Sequence, residues 1–305
     1  MADMAAIENE AGIARVTCGW RLPGLELDNV RRYWRDVHSP AISRRAGIYD
    51  YRHMAFDPVK SDLFAPVSGI AFACAPDAQL QWLSDVRYRD EAALAVFGTS
   101  PDGEVKAHLL ADIDLIVDRS TTYRAVGQNA RTFLDTTGNA APAGAAAQPS
   151  FGVFFRQRGE EGPFRRFMTA LAERWAATRG VKRVRLSLFD RPDMEAEKKA
   201  GYPIKTHPVE QQYQGWIDLV LDDVAVALGL LSDHADLDAA AYLTDVHAYP
   251  IPAVYCFVYR GKPTLIGLRG YAAVDAINGL NAVRAREPSL LRWMYGDIVQ
   301  DGPAA

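Results

Sequence analysis

The sequence predicts an α+β protein built from two tandem β-α-β-β-α-β units. Three observations carry that expectation. The chain has 305 residues, which is long for one compact domain and comfortable for two. The segment TTGNAAPAGAAAQPS, residues 136–150, is rich in Ala, Gly and Pro, lacks periodicity, and divides the chain near its midpoint as a linker would. The flanking parts, 1–135 and 151–305, match one another in order. Val30-Arg31-Arg32-Tyr33-Trp34 falls on Phe164-Arg165-Arg166-Phe167-Met168, Gly47 on Gly180, and the run ending in Phe56 on the run ending in Phe189.

Along the first unit, period-2 patterns place strands at 12–22 and 48–57. Between them a helix is expected at 27–46, because Val30, Tyr33, Trp34, Val37, His38, Ala41 and Ile42 recur at the spacing of one helical face. A third strand is expected at 67–75, where Gly69-Ile70-Ala71-Phe72 meets Gly215-Trp216-Ile217-Asp218 and Leu83-Ser84-Asp85 meets Leu231-Ser232-Asp233. A helical region follows from 76 to 118, broken at GTSPDG, and STTYRAVG closes the unit as a strand. This is the split-βαβ, ferredoxin-like order. One such unit covers a single face of its sheet with helices, so two linked copies can cover each other's open faces as an intramolecular pseudo-dimeric barrel. YAAVDAINGLNAVRAREPSLLRWMYG adds helix to the second unit.

Composition narrows the function. Hydrophobic residues make up 49% and charged residues 24% of the chain, and a net charge of −4 gives no electrostatic footprint for nucleic acid. Cys18, Cys74 and Cys256 form no CxxC pair, which suits a reduced, cytoplasmic setting. The start, MADMAAIENEAG, has no apolar core of a signal peptide, and no uninterrupted apolar run is long enough to span a bilayer, so no membrane partner is expected. GxSxG, HExxH and Walker motifs are absent.

The internal match supplies a control for the candidate site. The second half has Ala172 where the first has His38, so the helix does not need a histidine for packing. On the following strand, alternation puts Val184, Leu186 and Leu188 toward the helices and Arg183, Arg185 and Ser187 on the other face. The same assignment turns Tyr51 and His53 toward the helices, where the second half has Val184 and Leu186. Three proton-carrying groups thus replace apolar ones, and burying them unpaired would cost about 1–3 kcal/mol each. His38, Tyr51 and His53 are the candidate catalytic set, with a histidine as base and the tyrosine polarising or protonating an oxygen. Trp34, Tyr33 and Trp20 are candidate substrate-binding side chains, joined by His108 if it faces the pocket. His108, Asp112 and Asp114 have a spacing that could hold a metal, but an amphipathic helix explains them more simply, and no metal is expected. His207 and His247, flanked by prolines, read as loop residues, and RGKPTLIGLRG as a turn between strands.

At these residues the chain resembles the EthD-type branch of the dimeric α+β barrel superfamily. The resemblance rests on YWRDVHSPAISRRAGIYDYRHMAF and EVKAHLLADIDLIVDRSTTYRAVG, and so covers the first half. It implies a pocket between sheet and helices, in a superfamily that includes cofactor-free cyclases, lyases and isomerases beside heme-binding oxygenases. The function expected is a cofactor-independent acid-base enzyme, a lyase, cyclase or isomerase, acting on a small hydrophobic substrate of aromatic or polyketide-like character. A heme or metal oxygenase and a non-catalytic carrier of a hydrophobic metabolite are the alternatives. A homodimer of tandem barrels is the assembly to look for.

Overall fold

The computed structural model describes residues 4–101, 103–192, 208–232 and 237–296. It is a mixed α+β fold with two antiparallel sheets. The first sheet contains β1 (Ile13–Arg21), β2 (Asp50–Ala55), β3 (Trp82–Tyr88) and β4 (Val117–Val126) in the order β4-β1-β3-β2. The chain then crosses over. β5 (Ala130–Asp135) joins the second sheet, and β6 (Ala143–Ala145) lies in the segment expected to be a linker and pairs back onto the first. The second sheet continues with β7 (Ser150–Gln157), β8 (Val181–Leu188), β9 (Gly215–Leu221) and β10 (Leu243–Pro250), in the order β10-β7-β9-β8-β5. β11 (Ala253–Tyr259) returns to pair with β2, and β12 (Lys262–Pro263) closes a hairpin on it. Each sheet therefore has an edge completed by a strand that follows the other sheet's last strand in sequence.

Helices cover the outer faces. α1 (Met4–Glu8) precedes β1, and α2 (Leu27–Tyr33) and α3 (Ser39–Ile42) lie between β1 and β2. α4 (Glu91–Thr99) and α5 (Gly103–Ile116) lie between β3 and β4. On the second sheet α6 (Glu161–Ala177) buries Phe164, Phe167, Met168, Leu171, Ala172 and Trp175, one stripe at helical spacing, against Val184, Leu186 and Leu188. Full burial of each larger apolar side chain contributes roughly 1.5–3 kcal/mol. The C-terminal run expected to be helical forms helices at Tyr271–Gly279 and Pro288–Tyr295, and the 260–270 turn also holds a short helix, Leu265–Arg269.

The third strand corrects the sequence expectation. Residues 67–75 form no ladder; Ala71 makes a single bridge to Asp245, and Ile70 packs into the core of the second sheet. The strand is Trp82–Tyr88 instead, inside the region expected to be helical. Asp85 and Arg87 alternate with Ser84 and Val86, so both faces carry polar groups and the period-2 hydrophobic signal is lost. The counterpart of β9 is therefore β3, and their registers agree: Asp85 lies opposite Arg52 as Asp218 lies opposite Arg185.

The inner faces of the sheets meet in two kinds of contact. One is apolar, with Met54, Phe56 and Leu83 of the first sheet and its flank against Phe154, Trp216 and Tyr249 of the second. The other is ionic. Arg183 contacts Glu8, Asp135 and Asp218, Arg52 contacts Glu8 at 2.6 Å, and Arg185 contacts Asp50 at 3.0 Å. Arg87 lies 3.2 Å from Asp85 and reaches Ser187 of the opposite sheet at 3.2 Å. All of these side chains are buried. Burial alone would raise the Glu8 carboxyl, but Arg183, Arg52 and Arg185 overcome it and hold the group well below the usual carboxylate range.

Candidate active site

The candidate site lies between the first sheet and its helices. α2 runs into one wide turn at Trp34–His38, in which the Ser39 N–H reaches back to the Trp34 carbonyl, before α3 resumes. Pro40 helps to explain the irregularity: it has no N–H to offer Asp36, and its ring crowds that carbonyl. Such wide turns recur at functional sites. Here it brings the Trp34 and His38 rings to 4.6 Å between centroids.

Trp34 is wedged between groups from the sheet. Its ring stacks on His53 at 5.8 Å and lies 4.3 Å from Trp82. Trp82 in turn lies over Gly19 of β1, where an added Cβ would fall 2.3 Å from its ring. Gly19→Ala is therefore expected to displace Trp82 and Trp34 and to cost about 1–3 kcal/mol, read as a lower urea midpoint with altered tryptophan fluorescence.

His38 is 5% exposed, and its Nδ1 lies 3.0 Å from Asp112 Oδ2 on α5. The other carboxylate oxygen accepts the Tyr33 hydroxyl at 2.6 Å. The hydrogen bond from His38 is the main cause that holds Asp112 below the ordinary aspartate range, whereas burial and Asp112 push Tyr33 up to about 12. An ionised carboxylate can only accept, so the neutral His38 ring carries its proton on Nδ1 and has Nε2 as its acceptor nitrogen. Tyr51 of β2 shares a 2.8 Å hydrogen bond with Ser39, the residue after His38, and burial raises its hydroxyl.

His38 and Tyr51 border a cavity of about 120 Å3, whereas Tyr33 and Asp112 do not line it. Trp34, His38 and Tyr51 line it together with Ser84, Thr17 and Thr122 on the sheet and apolar residues of α5. The scale is that of a single aromatic ring. An oriented imidazole over such a space can remove a proton from a bound carbon or hydroxyl acid and return it elsewhere.

The remaining candidates lie elsewhere. His53 is buried beneath Trp34, with Nδ1 3.3 Å from Ser84 Oγ, and does not line the cavity. Trp20 is on the opposite face of β1, in the inter-sheet core, with Arg119 4.6 Å over its ring. His108 points to solvent beside Glu104 at 3.3 Å, because it lies on the outer side of α5. Asp112 is thereby drawn to His38 rather than to a His108 metal site. His247 is not in a loop but in β10, 1% exposed, with Nδ1 2.7 Å from the Tyr213 hydroxyl. His207 lies outside the described residues. Asp112 is the partner of His38 that sequence reasoning did not pair with it. Its signal is its position three residues after Leu109 and four before Ile116, on the inward stripe of α5.

Burial, with help from the charges of His38, Arg31 and Arg35, lowers the His53 imidazole to about 3. The unfolded chain takes up a proton near pH 6.5 that the folded chain refuses, so stability is unaffected above that pH and falls as the pH drops from about 6.5 toward 3. His53→Leu, which installs the residue present at Leu186, should flatten this loss by on the order of 2 kcal/mol at pH 5, measured by urea unfolding at pH 7 and pH 5.

No described helix is long and apolar enough to cross a membrane. No protein-family model matches the sequence, and no curated protein does. Among solved structures, the chain is similar to a candidate monooxygenase from Fusobacterium nucleatum at 10% identity and TM-score 0.45, covering 84% of this chain and 99% of that one. It is similar to a candidate monooxygenase from Lactobacillus acidophilus at 7% identity and TM-score 0.44, covering 82% and 97%. An anthrone oxidase-like protein is similar at 9% identity and TM-score 0.47, covering 81% and 93%. At such identities and scores, the likeness assigns neither a substrate nor a reaction to this chain.

Proposed function

We propose that the chain is an acid-base enzyme of the lyase, cyclase or isomerase type, with His38 as the proton-transfer group and a small, flat, largely apolar substrate of aromatic or polyketide-like character. The observation that carries this reading is the Asp112–His38 pair at the edge of the cavity, with Tyr33 fixing the carboxylate. Tyr51, linked through Ser39, is the group placed to steady a developing oxyanion.

The same reading treats the two sheets as a diverged duplication, an intramolecular pseudo-dimeric barrel of the EthD type. The strand orders β4-β1-β3-β2 and β10-β7-β9-β8 support it, as do the equivalent turns at Gly47 and Gly180, both with φ of 89°. Catalysis belongs to the first unit alone, since Ala172, Val184, Leu186 and Ile217 pack as solid core where the first unit has His38, Tyr51, His53 and Ser84. The test is deuterium uptake from D2O into a panel of small aryl ketones and polyketide-like diketones, followed by mass spectrometry. Uptake above the buffer rate that disappears in His38→Ala is expected; uptake untouched by that substitution would sink the proposal.

A further inference from the structure

The sheet side of the cavity carries a row of polar side chains in direct register. Thr122 of β4 lies opposite Thr17 of β1, Thr17 opposite Ser84 of β3, and Ser84 opposite His53 of β2. The two threonine hydroxyls are 3.0 Å apart, and Ser84 Oγ is 3.3 Å from His53 Nδ1. Strand for strand, the row in the second sheet is Ala248, Val153, Ile217 and Leu186, all buried in its apolar core. Cross-strand threonine pairs stabilise sheets, but the second sheet is built at the same places without them. Thr17, Ser84 and Thr122 all line the cavity, and Leu109, Leu110 and Ile113 of α5 line it as well. The first sheet has therefore exchanged an apolar row for hydroxyls where it borders open space. Two hydroxyls carry two hydrogens, and the bond between Thr17 and Thr122 uses one. The accepting oxygen keeps a hydrogen to give, and the donating oxygen keeps lone pairs to offer.

We infer that the substrate carries a ring hydroxyl or ring ketone whose oxygen is received by the Thr17–Thr122 pair. This rests on the reading of the cavity as the active site and narrows its substrate class. The pair donates to a ketone or accepts from a hydroxyl, and the apolar side chains of α5 supply the surface for the rest of the ring. A pocket built to hydrogen-bond an oxygen discriminates against the analogue that lacks it. Thr17 and Thr122 are thus specificity residues, and the proton transfer stays with His38.

Phenol and toluene, which differ by a hydroxyl in place of a methyl, test this when titrated calorimetrically into the intact protein. Thr17→Val combined with Thr122→Val keeps the shape of the floor and removes both hydroxyls. Both are replaced because either one alone could still serve the ligand. In this double variant phenol is expected to lose affinity by about fivefold or more, whereas toluene should bind as before or more tightly. Thr17→Ser combined with Thr122→Ser keeps both hydroxyls and should keep the ratio of phenol to toluene affinity. If the paired valines unfold the chain, Thr17→Val with Thr122→Ala, the residues found at Val153 and Ala248, gives the same comparison. Binding of neither compound to the native protein, parallel losses for both, or a phenol affinity that survives removal of both hydroxyls would each overturn the inference. So would a serine pair that loses phenol as the valine pair does. The acid-base reading stands or falls separately, on deuterium exchange.

Discussion

Arg183→Met is expected to destabilise the protein by about 3–5 kcal/mol. The Arg183 guanidinium is shared by Glu8, at 2.9 and 3.1 Å, Asp218 at 2.6 Å, and Asp135, and all four side chains are buried. Its removal leaves three carboxylates with only Arg52, Arg87 and Arg185 to share among these and Asp50 and Asp85. Breaking a buried pair is costly because the abandoned charge stays out of water. The double substitution Glu8→Met with Arg183→Met should therefore be less destabilised than Arg183→Met alone, since it withdraws both charges and fills their volume. Urea unfolding of the four-member cycle gives the coupling directly, and a double variant no more stable than the Arg183 single would contradict it.

His38→Ala is expected to lower proton-exchange turnover by about a hundredfold to ten-thousandfold, the usual worth of a positioned general base. Asp112→Asn should lower it as well, because an amide can donate to Nδ1 and so favour the tautomer whose Nε2 bears the proton and can no longer accept one. The two substitutions together should cost little more than His38→Ala alone, as expected of groups that act as a unit. Imidazole added to His38→Ala should restore part of the rate if the loss is chemical. Circular dichroism separates this from misfolding.

The helical stripe through Val30, Trp34 and His38 was legible because burial there is one-sided. β2 is buried on both faces, so the helix-facing turn of Tyr51 and His53 came from the match to Val184 and Leu186 rather than from periodicity. β3 was not legible because its inner face carries Asp85 and Arg87, charges that a sequence reading assigns to solvent and the fold assigns to the space between the sheets. The crossings of β5 and β11 were hidden too, since nothing local in a strand says which sheet it will join. Within the site, His38 could be found against its counterpart Ala172, whereas the choice between His38 and His53 depended on depth. One borders the cavity and the other lies beneath Trp34.

The exchange of edge strands gives the second half a protective role toward the first. β11 zips onto β2, the strand that carries Tyr51 and His53, with Tyr255 opposite His53. Without it, the strand beneath the reaction site would become a bare edge, open to any passing chain. The second half therefore serves the first as a built-in guard against aggregation.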